Sequence, residues 1–393
     1  MQTNRFQELT LSRLGFGMMR LPQTPAGEID EAALEEMVDL ALRSGVNYFD
    51  PAFPYHGGMS EFAAGRALSR WPRESYCRAT KYPGHQIASR YDPADVFEQQ
   101  LKKCRTGYFD FYLLHNVCES SYDVYTSERW GILPYFRKQK ELGRIRHLGM
   151  SSHARPETLE KFLDYAGGAI EFVQIQLNYL DWTLQEAEEK YRILTERGIP
   201  VWVMEPVHGG KLAQLPPAQE AALRALAPER TPAAWAFRFL QDLPNVKMIL
   251  SGMSDLQQMR ENIRTFSTEE PLSPGERAAL FRVAEELKGA VPCTGCRYCC
   301  DGCPAGLDIP LLIRSYNDLR FGGGFTVPMQ MDVLPRDQWP DACLGCSACA
   351  AICPQGIDVP SVMEAFTEKM KTAPSWAAIC KEREEAARRS RLN

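Results

Sequence analysis

The sequence predicts a (β/α)8 barrel followed by a small, mainly helical domain, on three observations. Across residues 1–268, eight short apolar runs alternate with amphipathic stretches, at about 30 residues per unit. Beyond residue 290, two cysteine runs share the spacing C-x2-C-x2-C-x3-C-P. Between these regions, residues 269–290 hold a Pro/Gly/Ser turn and then a helical stretch, read as a bridge.

In chain order the strand-like runs are LGFGMM (14–19), VNYFD (46–50), YCRATK (76–81) and FDFYLLH (109–115). IRHLGMS (145–151), FVQIQLN (172–178), IPVWVME (199–205) and VKMILSG (246–252) complete the eight. The intervening EAALEEMVDLALRSG (31–45), DPADVFEQQLKKC (92–104), RPETLEKFLDYAGG (155–168) and TLQEAEEKYRILTERG (183–198) place apolar residues at helical spacing. A doubly wound open sheet is the alternative, but no G-x-G-x-x-G follows an early strand. Past the bridge, IPLLIRSYNDLR (309–320) reads as a helix with Pro310 in its first turn, closed by Gly322, Gly323 and Gly324. VPSVMEAFTEKMK (359–371) mirrors it, and CPAGLDIP against CPQGIDVP marks a duplicated unit. The helical domain thus spans 291–372, and 373–393 form a charge-rich helical tail.

At 393 residues, 45% of them hydrophobic, the chain is long enough to bury a large core. Nine of its 13 cysteines fall between Cys293 and Cys353, as expected of clustered metal-binding thiols in a reducing compartment. The polar start MQTNRFQELTLSRL and the absence of a long apolar run predict a cytoplasmic protein with no membrane partner. A formal charge of −5 argues against nucleic acid.

The cysteine spacing is that by which bacterial ferredoxins hold iron–sulfur cubes, each run lending its fourth Cys to the other cluster. One [4Fe–4S] cluster is accordingly assigned to Cys293, Cys296, Cys299 and Cys353, the second to Cys343, Cys346, Cys349 and Cys303. Zinc prefers paired C-x2-C knuckles to triplets followed by Cys-Pro. Cys300 stays outside both sites.

Chemistry in such a barrel belongs at the C-terminal ends of the strands. Asp50 ends the second run, Lys81 the third and His115 the fourth, and Tyr55 follows Asp50 in the irregular loop FDPAFPYHGG. Singly, each has a bland reading, an ion pair or a rim histidine. Together they suggest carbonyl reduction. An ammonium beside a phenol favours the phenolate and lowers its pKa, a carboxylate fixes the ammonium, and a histidine hydrogen-bonds the carbonyl oxygen.

The sequence resembles an aldo/keto reductase of the bacterial branch that carries a C-terminal ferredoxin-like domain. DPAFPYHGGMSE (50–61), ATK ending at Lys81 and YLLH ending at His115 carry the resemblance. It implies Tyr55 as general acid, Lys81 and Asp50 as its tuners, and His115 as the group orienting the carbonyl. It further implies a nicotinamide cofactor, NADPH or NADH rather than a flavin. The corresponding cofactor contacts are Gly17, Met18, Ser151, Ser152, Gln174, Met204, Pro206 and Gly210. Ser251, Gly252, Met253, Gln258, Glu261 and Asn262 continue the set toward the adenosine. Met204 replaces the usual stacking aromatic, and Gln258 stands where NADPH-specific members carry Arg, with Arg260 the nearest substitute. His147, His153 and His208 read as packing or loop residues, and Tyr122, Tyr125 and Trp130 as aromatic pocket walls.

Nicotinamides deliver hydride, whereas each cluster takes one electron. The expected function is a nicotinamide-dependent carbonyl/alcohol oxidoreductase whose clusters couple to an external ferredoxin or flavoprotein. The alternative is a non-catalytic electron-transfer or redox-sensing subunit; a weaker third reading is a sugar dehydratase or isomerase.

Overall fold

The computed structural model describes residues 1–85, 91–215, 217–288, 291, 293, 297, 299–320, 326–353 and 356–392. Ten strands are numbered in chain order: β1 (Thr3–Phe6), β2 (Leu9–Ser12), β3 (Leu14–Gly17), β4 (Tyr48–Asp50), β5 (Cys77–Tyr82), β6 (Phe109–Leu114), β7 (Ile145–Ser152), β8 (Val173–Gln176), β9 (Val201–Met204) and β10 (Val246–Gly252). Strands β3 to β10 close a parallel barrel in sequence order, with Ile249 of β10 opposite Leu14 of β3 at the seam. Strands covered on both faces need continuous apolar runs, and β4, β5, β6 and β8 are buried at every position. At Gly15 a Cβ would lie 2.6 Å from Leu250 Cδ2, so only glycine fits against the seam.

The amino-terminal hairpin β1–β2 was not expected. Its turn at Gln7 takes φ 52° without glycine or asparagine to announce it. The hairpin inserts Phe6 and Leu11 among Tyr48, Phe111, Phe172 and Trp202, plugging the barrel with a second apolar layer. The expected bridge helix, Pro274–Lys288, packs on the barrel instead, burying Leu280, Val283 and Ala284 in its main core.

Beyond it, helices Ile309–Arg320 and Val359–Lys371 enclose a separate core of Leu312, Val327, Met331, Met363 and Phe366. The glycines at 322–324 lie outside the described residues. The C-terminal region lies over the barrel's catalytic mouth. Met329, Trp376 and Cys380 bury themselves against Cys118 and Ala154, in the loops after β6 and β7. Arg314 pairs with Glu186, and the tail helix Trp376–Leu392 packs on the turn that begins at Tyr55. No helix among the described residues is long and apolar enough to cross a membrane.

Candidate active site

Three neighbouring strands deliver the reactive groups. Asp50 is the last residue of β4, Lys81 the penultimate residue of β5, and His115 follows β6. Tyr55 opens a tight turn through Gly58, in which His56 and Gly57 take φ 51° and 64°. The His56 ring secures this turn by accepting from the Leu21 amide at 3.1 Å. The buried Lys81 ammonium donates to Asp50 Oδ2 at 2.5 Å and to the Pro51 carbonyl at 3.1 Å. It also shares a hydrogen bond with the Tyr55 hydroxyl. The His115 ring stands edge-on to Tyr55, centroids 5.8 Å apart.

Burial shifts all of these groups. It raises the Tyr55 pKa above the ordinary phenol value, and the Lys81 charge only partly counters it. That corrects the expected downward shift: desolvation outweighs the ammonium, and the phenol keeps its proton at neutral pH. Burial works against the charge on Lys81, but Asp50 and Tyr55 hold its pKa up. His115 is pushed well below the usual histidine range by burial, aided by His85, Lys81 and Arg383, so its imidazole is neutral.

Two cavities meet at Tyr55. The larger, of about 480 Å3, runs from the barrel mouth along the ends of β3, β9 and β10. Gly17, Gln174, Met204, Pro206 and Gly210 line it, with Ser251, Gly252, Gln258, Glu261 and Asn262 farther along. Met18 and Met253 turn into the core instead, and Ser151 and Ser152 are occupied with the loop after β6. Ser151 accepts from the Asn116 amide at 2.8 Å, and Ser152 donates to the Val117 carbonyl at 2.7 Å. The buried Gln174 Oε1 has no partner, an acceptor suited to a carboxamide N–H. Arg20 and Glu205 form an ion pair at 2.9 Å between residues lining both cavities, a clasp absent from the sequence reading of the site.

The smaller cavity, of about 230 Å3, is lined by Tyr55, His85, His115, His153, His208 and, from the C-terminal region, Thr326 and Arg383. His153 and His208 are thus cavity residues, whereas His147 is held in the barrel by Glu171 at 3.2 Å. Tyr122, Tyr125 and Trp130 do not line it. Tyr125 is a buried brace, its hydroxyl donating to the carbonyls of Tyr82 and His115.

In the C-terminal region, Cys303, Cys343, Cys346 and Cys349 surround a third cavity. Cys293, Cys299 and Cys353 pack against the adjoining core, and Cys296 lies outside the described residues. Among the described residues no three His, Cys, Asp or Glu side chains could share a single metal ion. Four thiols spread around a space suit a multi-iron cluster better than one zinc.

Residues 13–284 match the family model for the aldo/keto reductase family. The chain belongs to that family. Residues 292–357 match the 4Fe-4S dicluster domain, so this aldo/keto reductase carries an iron–sulfur module at its C-terminus. Family members are oxidoreductases. Among its relatives are the uncharacterized oxidoreductase YqkF of Bacillus subtilis, 26% identical over 65% of this chain and 88% of that protein. The NADH-specific methylglyoxal reductase of Escherichia coli is 25% identical over 52% of this chain and 66% of its own length. The holo form of aldo-keto reductase AKR11C1 from Bacillus halodurans superposes with a TM-score of 0.59 at 26% identity, covering 72% of this chain and 96% of that one.

Proposed function

We propose that this aldo/keto reductase reduces a small carbonyl compound with a nicotinamide cofactor, Tyr55 supplying the proton. The supporting observation is the position of Tyr55, which lines both cavities at once and is hydrogen-bonded to the Lys81–Asp50 pair. Bound in the larger cavity, a nicotinamide supplies hydride to the carbonyl carbon. Gln174 Oε1 would accept from its carboxamide, with Met204 at its flank. The carbonyl oxygen faces Tyr55 and the neutral His115, whose N–H donates a hydrogen bond as negative charge develops. Tyr55 passes its proton to that oxygen, and Lys81 stabilises the phenolate left behind; the product is the alcohol. The residues toward the adenosine end favour NADH. Gln258 is engaged with Asp255 at 2.9 Å, Glu261 adds a carboxylate, and Arg260 points to solvent, which is poor company for a 2′-phosphate.

The thiols assigned by spacing would hold two [4Fe–4S] clusters, which supply one-electron transfer when bound. Leu344 and Ile352 are 70% and 56% exposed beside Cys343, Cys346 and Cys353. Such an apolar rim suits a transient electron-transfer partner, a ferredoxin or flavoprotein. The test is Tyr55→Phe. Carbonyl reduction by NADH should fall by about 10²- to 10⁴-fold, with visible cluster absorbance unchanged. Retained turnover would overturn the assignment.

A further inference from the structure

We infer that the smaller cavity takes a carbonyl substrate bearing a carboxylate, which Arg383 of the tail helix anchors at the end opposite Tyr55. The inference rests on the proposed role of Tyr55, which places the carbonyl, and it adds the chemistry of the rest of the substrate.

The tail helix presents Trp376, Cys380 and Arg383 at i, i+4 and i+7, on one face. Trp376 and Cys380 are buried against Cys118, Ala154 and Met329 and fix the helix on the barrel. Arg383 is thereby carried into the cavity wall, its guanidinium 5.9 Å from the Trp376 ring centroid. Its Nη1 lies 3.4 Å from His85 Nε2. His85 stacks edge-on to His115 with centroids 4.5 Å apart, and His115 in turn faces Tyr55. One imidazole therefore separates the guanidinium from the ring that faces the proton donor.

Charge selects the ligand. Of the ionic residues lining this cavity, Arg20 and Glu205 neutralise each other, and Glu205 also accepts from the Gly209 amide. Behind Tyr55, Lys81 and Asp50 cancel likewise. His85, His115 and His153 stay neutral, burial acting first and the Arg383 charge adding to it. A single positive charge remains among neutral hydrogen-bonding rings. It matches a monoanion, whereas a phosphate dianion would bury an uncompensated charge. A guanidinium fork also meets a planar carboxylate bidentately. At about 230 Å3 the space is below the usual range of ligand cavities, which restricts it to short oxo or formyl acids.

The test compares wild type, Arg383→Gln and Arg383→Lys as cluster-loaded holoenzymes. Binding of oxamate and succinamate, unreactive carboxylates of two lengths, is measured by calorimetry with NADH present. At least one should bind wild type and weaken by about 100-fold in Arg383→Gln, the loss expected for a charge-assisted pair, with partial recovery in Arg383→Lys. In turnover, pyruvate and succinate semialdehyde are each set against their methyl esters. The acid-to-ester ratio of kcat/KM should fall by the same factor in Arg383→Gln. A merely structural arginine would lower acid and ester together and leave the ratio in place. Equal binding by all three proteins, no binding by wild type, or ester preferred to acid in wild type would overturn the inference. The proton-donor reading fails separately, if Tyr55→Phe keeps its turnover while Arg383→Gln still loses the carboxylate.

Discussion

The two cavities that meet at Tyr55 are made of different material. The larger is built by the barrel alone, from strand ends and the loops that follow them. The smaller is closed by Thr326 and Arg383, which come from the far end of the chain. Cofactor chemistry is thus written locally, on neighbouring strands, while the substrate's surroundings depend on how the iron–sulfur region docks. A common hydride site can stay constant while the substrate wall is supplied by a separate module.

The contrast is most strongly broken at the docking anchor. Trp376 is 2% exposed, so Trp376→Ala should cost about 3–5 kcal/mol of stability, read by denaturant unfolding. Substrate KM should rise as the tail helix loosens, with the nucleotide Kd within about twofold of wild type by the expectation for distant sites. A parallel loss of nucleotide affinity would mean that the two cavities are not separately built.

A smaller effect sharpens the capped side. His153 lies among His85, His115, Lys190, Asp181 and Arg383, and burial pushes its pKa down to about 3. Because the folded value is depressed, the unfolded chain binds the extra proton as pH drops through about 6.5, and wild type loses stability there. His153→Gln removes that proton uptake. Relative to wild type it should gain about 2 kcal/mol between pH 8 and pH 5, measured by unfolding at both pH values. A difference independent of pH would contradict the buried neutral imidazole.

The smallest effect falls on the barrel-built side. Gln258→Arg should shift the NADPH-to-NADH ratio of kcat/KM upward by about tenfold, with the acid-to-ester preference untouched. Movement of both ratios together would again merge the two cavities.

What the sequence revealed follows the same division. All eight barrel strands were legible because parallel strands buried on both faces need unbroken apolar runs. Asp50, Lys81 and His115 were legible because ionisable residues interrupt those runs at their C-terminal ends. The hairpin β1–β2 was not, since two four-residue strands joined at Gln7 carry no turn signature. Nor was the capped cavity. Arg383 and His85 are 298 residues apart, and nothing local in a charge-rich tail helix marks which arginine turns inward. Tyr125 and Ser151 show the converse error: residue types suited to binding serve instead as internal braces. The Tyr55 shift was misjudged because a neighbouring ammonium is visible in a motif, whereas the degree of burial opposing it is not.

The most direct test of the central claim is a single turnover with C4-deuterated NADH and a carboxylate-bearing carbonyl substrate, analysed by mass spectrometry. Stoichiometric deuterium on the former carbonyl carbon of the alcohol, lost in Tyr55→Phe with nucleotide and clusters still bound, is the predicted result. Alcohol formed without the label, or labelled alcohol made equally fast by Tyr55→Phe, would contradict it.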